Sequence, residues 1–340
     1  MTSLARVTSL SKKILAGLAI LLILLVLYAT GIRIKELLFP SPLPPPTVSF
    51  GKLPALFLET GSDNQNVSYE LDTLSGIFPA LPSQTKVYKF ASVSGGLLSV
   101  QRAFEKANAI GFLSKGQKIS ETIYQWKDNS LISRILTFDV IFSTFDVFSN
   151  FLSEDQVYEK GSLSADNAKQ KAKEFMQTLY GFPQDIDESK TKTTPLVKEN
   201  GELIEAKSVA NSQFFRVDFY QKDEDGIPIV YREIPFSSLN ITVFAQSPFI
   251  TEAHFPYRSI TDEWATYPLK SPQEAFDDLK NGKAYVSSYD GDSQNIKIKE
   301  IKLAYLGGRA DQGYLLPIIL FEGQNGFIAF VSAISNQWTE

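Results

Sequence analysis

His254 is the only histidine among 340 residues, and there is no cysteine. A Ser-His-Asp triad would have to use His254, which lies in the alternating stretch FITEAHFPY, and no Gly-x-Ser-x-Gly turn occurs to present a serine. His254 therefore reads as a structural or surface residue. The same counts exclude zinc sites built from Cys or several His and leave carboxylates as the acid–base and metal-ligating groups. These cluster at Asp185, Asp187 and Glu188, at Asp223, Glu224 and Asp225, and at Asp290 and Asp292 with Asn295. The last cluster starts like a calcium loop, but the third ligand, the glycine and the bidentate Glu do not follow at the required offsets. Solvated hairpin tips account for all three. A glycosidase would need two acids about 5 to 9.5 Å apart in a cleft, a distance that sequence does not give. Ser271 beside Lys270 has the composition of a Ser-Lys dyad but suits a helix cap better. With no P-loop and no dinucleotide fingerprint, the expectation is no cofactor, no metal, and no catalytic or cofactor-binding residue.

Aromatic residues offer a different chemistry. Tyr124 and Trp126, Phe215, Phe219 and Tyr231, and Tyr305 and Tyr314 recur in alternating stretches, where they would either line a face for a peptide or glycan or fill the core of a helix-covered sheet. Core packing is the reading adopted.

Whatever these residues do depends on the elements that hold them. Ile14 to Ile32 is an uncharged run of nineteen residues that would reach about 28 Å as a helix, close to the hydrocarbon thickness of a bilayer. It exceeds the usual length of a cleaved signal core, so a retained anchor is expected. Arg6, Lys12 and Lys13 precede it with no acid, placing the N-terminus in the cytoplasm and the remainder outside, at the plasma membrane. The expected organisation is a basic tail at 1–13, the anchor at 14–32, a Pro-rich spacer at 33–50, and α+β modules at 51–160, 161–260 and 261–340. The ectodomain carries no disulfide, which favours a bacterial envelope protein. Its acidic balance, in a chain of net charge −5, argues against nucleic acid as a partner.

Each module reads as one helix followed by strands, an α+β pattern of a helix on an antiparallel sheet. The first helix carries Leu97, Leu98, Ala103, Phe104, Ala107 and Ile110 and stops at Gly111-Phe112. The second is capped by Ser164, buries Ala165, Ala168, Ala172, Phe175, Met176 and Leu179, and stops at Gly181-Phe182. The third opens with the capping box Ser271-Pro272-Gln273-Glu274 and stops at Asn281-Gly282. Strands are expected at 56–58, 67–71 and 86–90, in ISETIYQW and in LISRILTFDVIF. Further hairpins are expected about Asn200-Gly201, from QFFRVDFYQ through Asp225-Gly226 into IPIVYREI, and about Asn325-Gly326, with SLNITVFA and IKIKEIKLAYL as additional strands.

Ser164, Ala165, Ala168 and Ala172, then FFRVDFYQKDEDGIPIV and SLNITVFA with the following FITEAHF, resemble the PepSY-like modules of bacterial extracytoplasmic proteins. The pattern spans Ser162 to Ser332. One N-terminal anchor with tandem modules is similar to the plan of YycH/YycI-type regulators of cell-wall sensor kinases. The resemblance implies regulation of a membrane partner or restraint of a peptidase, without chemistry of its own. The function expected is therefore a membrane-anchored binding or regulatory protein with an envelope or membrane protein as partner. The alternative is a carboxylate-dependent cell-wall hydrolase or transferase.

Overall fold

A computed structural model describes residues 17–18, 21–31, 44–56, 67–91, 97–128, 132–153, 157–247, 249–291, 293–308 and 312–340. The chain falls into two units, Met1–Pro45 and Pro46–Glu340. In the first, residues 17–18 and 21–31 are helical. Among the described residues no helix is long and apolar enough to cross a membrane. The rest of the expected anchor, the basic tail and residues 33–43 of the spacer lie outside the described residues.

The second unit is α+β. Its helices are α1 (Leu97–Ala109), α2 (Ala165–Leu179) and α3 (Pro272–Lys280), each preceded or ended by the residues expected from local chemistry. The Ser164 hydroxyl accepts from the Asn167 N–H, satisfying a donor that the first turn leaves unpaired. At the C-terminus of α1, Gly111 takes φ 93°, which a β-carbon disfavours, and this lets the Phe112 N–H reach back to the Ala107 carbonyl at 3.0 Å. Phe112 is then fully buried, the hydrophobic contact that accompanies such a stop.

The capping box at α3 is complete. Ser271 Oγ accepts from the Glu274 N–H at 3.2 Å, and the Glu274 carboxylate accepts from the Ser271 N–H at 2.7 Å. Ala275, Phe276 and Leu279 consequently face a core with Ile298, Leu303, Ile319 and Phe321. Ser271→Ala is expected to destabilise this unit by about 1 kcal/mol, and Ser271→Gly by only a few tenths, a difference that thermal denaturation of both variants would resolve.

Two sheets share the strands. Nine strands run β3 (Gln117–Lys118), β4 (Ile123–Lys127), β5 (Arg134–Asp139), β6 (Phe145–Ser149), β12 (Ile250–Phe255), β11 (Leu239–Phe244), β9 (Phe214–Phe219), β7 (Lys192–Glu199) and β8 (Glu202–Glu205). All these pairs are antiparallel, and α1 and α2 cover one face. The second sheet runs β1 (Ser68–Leu71), β15 (Asn295–Leu306), β16 (Tyr314–Gly323), β17 (Ile328–Ser332) and β14 (Tyr285–Ser288). To it β10 (Ile229–Val230) adds on β15, and β2 (Gln84–Phe90) on β16 with β13 (Ile260–Pro268) beyond it. Strands from 51–160 thus enter both sheets, β1 and β2 in one and β3 to β6 in the other.

Three expected strands are redrawn, ISETIYQW being extended only from Ile123. LISRILTFDVIF ends as a strand at Asp139, whose carboxylate accepts from the Ile141 and Phe142 N–H groups and turns the chain into β6. The Asp225-Gly226 turn forms, with φ 51° and 76°, but IPIVYREI does not return along β9. Instead Ile229 pairs in parallel with Tyr305 of β15, carrying the chain to the other sheet. Residues 57–58 of the expected strand at 56–58, and Asp292, lie outside the described residues.

Candidate functional site

The redirected turn borders a cleft of about 550 Å³, where Asp225 meets β2 and β13. Strand periodicity puts Lys86 and Tyr88 on one face of β2, and the antiparallel register sets Trp264 opposite Tyr88 and diagonal to Lys86. From the turn, Asp225 accepts from the Tyr88 hydroxyl at 2.7 Å and pairs with the Lys86 ammonium at 2.9 Å. The same ammonium lies 4.5 Å above the Trp264 ring. Tyr305 anchors this corner from β15, donating to the Lys86 carbonyl at 2.7 Å.

Asp185 arrives from the loop after α2, where Lys222 N–H donates to its carbonyl and Ile186 bridges Gln221. Its carboxylate accepts from the Tyr257 hydroxyl at 2.6 Å and from Gln221 Nε2 at 2.9 Å. Tyr257 is buried and packs edge-on against Tyr180. Gln184, Glu224, Ser259, Ile260, Thr261 and Asp262 complete the lining, and Trp264 at the rim is 47% exposed.

The carboxyls here are differentiated. Hydrogen bonds from Lys86 and Tyr88 hold Asp225 below the usual carboxylate range. Burial, followed by the charges of Asp225 and Asp185, pushes Glu224 up. Burial also raises the Tyr88 and Tyr257 hydroxyls, reinforced by Asp225 and Asp185 respectively, so both remain hydrogen-bond donors at neutral pH. A carboxylate depressed in the folded state adds stability that is present above its unfolded pKa, about 3.9, and lost as pH falls through the folded value. Lys86→Met should therefore move the Asp225 titration up toward the ordinary carboxylate range, narrowing that acid-side window, as a carboxyl NMR titration would show.

Members of two sequence clusters are thus brought together, Asp185 from one and Glu224 with Asp225 from the other. Their neighbours go elsewhere: Asp223 pairs with Lys190 at 2.5 Å and Glu188 with Lys173 at 2.9 Å. Among the described residues no group of acids and His has a metal-holding arrangement. His254 is half exposed on β12 and bonds Asp146 of β6. Burial lowers its pKa, but Asp146, Glu233 and Glu252 outweigh that and hold it above its ordinary value. Lys270 is committed to Asp278 at 2.9 Å while Ser271 caps α3, so the two do not form a dyad.

Most of the candidate aromatics are core residues. Trp126, Phe215, Phe219, Tyr231 and Tyr305 are essentially buried, with Tyr124 packed beside Phe104. The aromatics that border the cleft, Tyr88, Tyr257 and Trp264, are not among those candidates. Trp264 follows the register shift between Ile260 and Trp264 on β13, and no residue type announces that irregularity.

No family model matches the sequence, and no curated protein matches it. Among solved structures, the chain is similar to the Bacillus megaterium YpeB C-terminal domain, at 13% identity and a TM-score of 0.32, over 72% of this chain and 95% of that one.

Proposed function

We propose that this is a membrane-anchored extracytoplasmic binding or regulatory protein that acts through protein–protein contacts at the cleft and performs no chemistry of its own. The observation that carries the reading is the way the cleft acids are held. Asp225 is fixed by Lys86 and Tyr88, and Asp185 by Tyr257 and Gln221, while Trp264 projects at the rim. Loop and turn acids fixed by two donors each suit a preorganised recognition surface, where an aromatic anchor and oriented polar groups supply affinity and specificity. The resemblance of Ser162 to Ser332 to PepSY-like modules supports the same reading. Ile14 to Ile32 would anchor the protein in the plasma membrane, N-terminus cytoplasmic and C-terminal unit outside, placing an envelope or membrane protein within reach.

Glu224 favours the alternative, a carboxylate-dependent hydrolase, because a carboxyl raised by burial in a cleft has the property of a general acid. Affinity capture of the full-length protein from native membranes after mild crosslinking separates the two. Recovery of one defined partner is expected. No partner, together with hydrolysis of cell-wall material that Glu224→Gln abolishes, would overturn the binding reading.

A further inference from the structure

The cleft lining holds Asp185, Glu224, Asp225 and Asp262 against a single cation, Lys86. Lys86 is already engaged by Asp225 and by the Trp264 ring. Asp185 is held by neutral donors, Tyr257 and Gln221. Among the described residues no Lys, Arg or His forms an ion pair with Asp185, Glu224 or Asp262. Asp185 and Glu224 are half-buried, while Asp225 and Asp262 are exposed at the mouth. They border an open cleft whose aromatic side chains are Tyr88, buried Tyr257 and half-exposed Trp264.

Both the charge and the size of the space bear on what fills it. A volume of about 550 Å³ lies in the range that takes ligands much larger than one ammonium group. A basic side chain has the matching amphipathic form, an apolar stem that covers aromatic surface and a cationic head that reaches acids beyond it. We propose that the cleft between β2, β13 and the Asp225-Gly226 turn receives a Lys- or Arg-bearing segment of a polypeptide partner, its cationic head meeting Glu224 and Asp262 and its stem lying on Trp264. This rests on the binding function proposed above and names the chemistry of the partner. Glu224, raised first by burial and then by Asp225 and Asp185, agrees with it, because a cation brought in there would relieve the share that is repulsion.

The test uses the full-length protein in detergent micelles with its three tryptophans labelled as 5-fluorotryptophan, and acetyl-tetralysine amide, acetyl-tetraglutamate amide and spermidine as probes. Tetralysine should shift the Trp264 fluorine signal saturably, and tetraglutamate should not. Glu224→Gln with Asp262→Asn should weaken tetralysine binding about tenfold or more. Glu202→Gln on β8, outside the cleft, should leave it unchanged. Unaltered Trp126 and Trp338 signals would show that the variants are folded. Absence of a saturable Trp264 shift would overturn the proposal, as would equal weakening by Glu202→Gln or spermidine binding as tightly as the peptide. If a partner is captured through the cleft while tetralysine fails to bind, the ligand class falls and the binding function stands. Tetralysine binding without any captured partner would instead support the cation site and count against the regulatory reading.

Discussion

Asp128→Ala is expected to destabilise the second unit by about 3 to 5 kcal/mol, the range found when one member of a buried ion pair is removed. Asp128 and Arg134 are 7% and 9% exposed and meet through Arg134 Nε at 2.7 Å and a second guanidinium nitrogen at 2.5 Å. The remaining carboxylate oxygen accepts from the Arg134 N–H at 2.9 Å, and a third guanidinium nitrogen donates to the Ile250 carbonyl. The guanidinium also lies over Phe112, 4.9 Å away, and Phe249, 5.4 Å away. Removing the carboxylate leaves that cation buried between aromatic rings without its counter-ion. The doubly apolar Asp128→Ala/Arg134→Met should recover much of the loss, since replacing both charges leaves none uncompensated. Urea unfolding of both variants checks the pair of expectations, the midpoint falling far in the first and less in the second.

Trp126→Ala should cost a similar amount, about 3 to 5 kcal/mol, from the cavity left beneath α1. Trp126 is 1% exposed, with its ring 5.1 Å from Phe104 of α1 and 6.2 Å from Tyr124. It fills the space so closely that a β-carbon on Gly116 would lie 2.6 Å from the indole. Its indole nitrogen is buried without a hydrogen-bond partner among the described residues, so Trp126→Phe loses volume but no bond. That variant should therefore fall well short of the alanine cost, and side-by-side melting curves would show the order. Equal costs for the two variants would contradict the volume argument.

The helices were legible in the sequence because what starts and stops them is local. Ser164 and Ser271 bond within three residues, and Gly111 and Gly282 act within one turn. The Asp225-Gly226 turn was legible for the same reason. Where its second arm goes was not, because Ile229 has equal reason to return along β9 or to pair with Tyr305, and only the assembled sheet decides. The Asp139 turn escaped notice because a carboxylate bonding two following N–H groups interrupts an otherwise continuous apolar run. The acids were visible as clusters, but their meeting depends on Lys86, Asp185, Asp225 and Trp264 converging from segments far apart in the chain. Sequence identified Ser271 as a helix cap, yet it had no means of separating rim Trp264 from core Trp126, since both occur in alternating strands.

The central claim, that the cleft is where this protein contacts another, is tested most directly by placing a photo-crosslinking residue in it. Thr261 lines the cleft on β13, and Glu202 lies on β8 at the far edge of the other sheet. Full-length protein carrying Thr261→p-benzoylphenylalanine, irradiated in native membranes, should yield one defined adduct with an envelope or membrane protein, and the Glu202→p-benzoylphenylalanine protein should not. No adduct from position 261, or the same adducts from both positions, would contradict it.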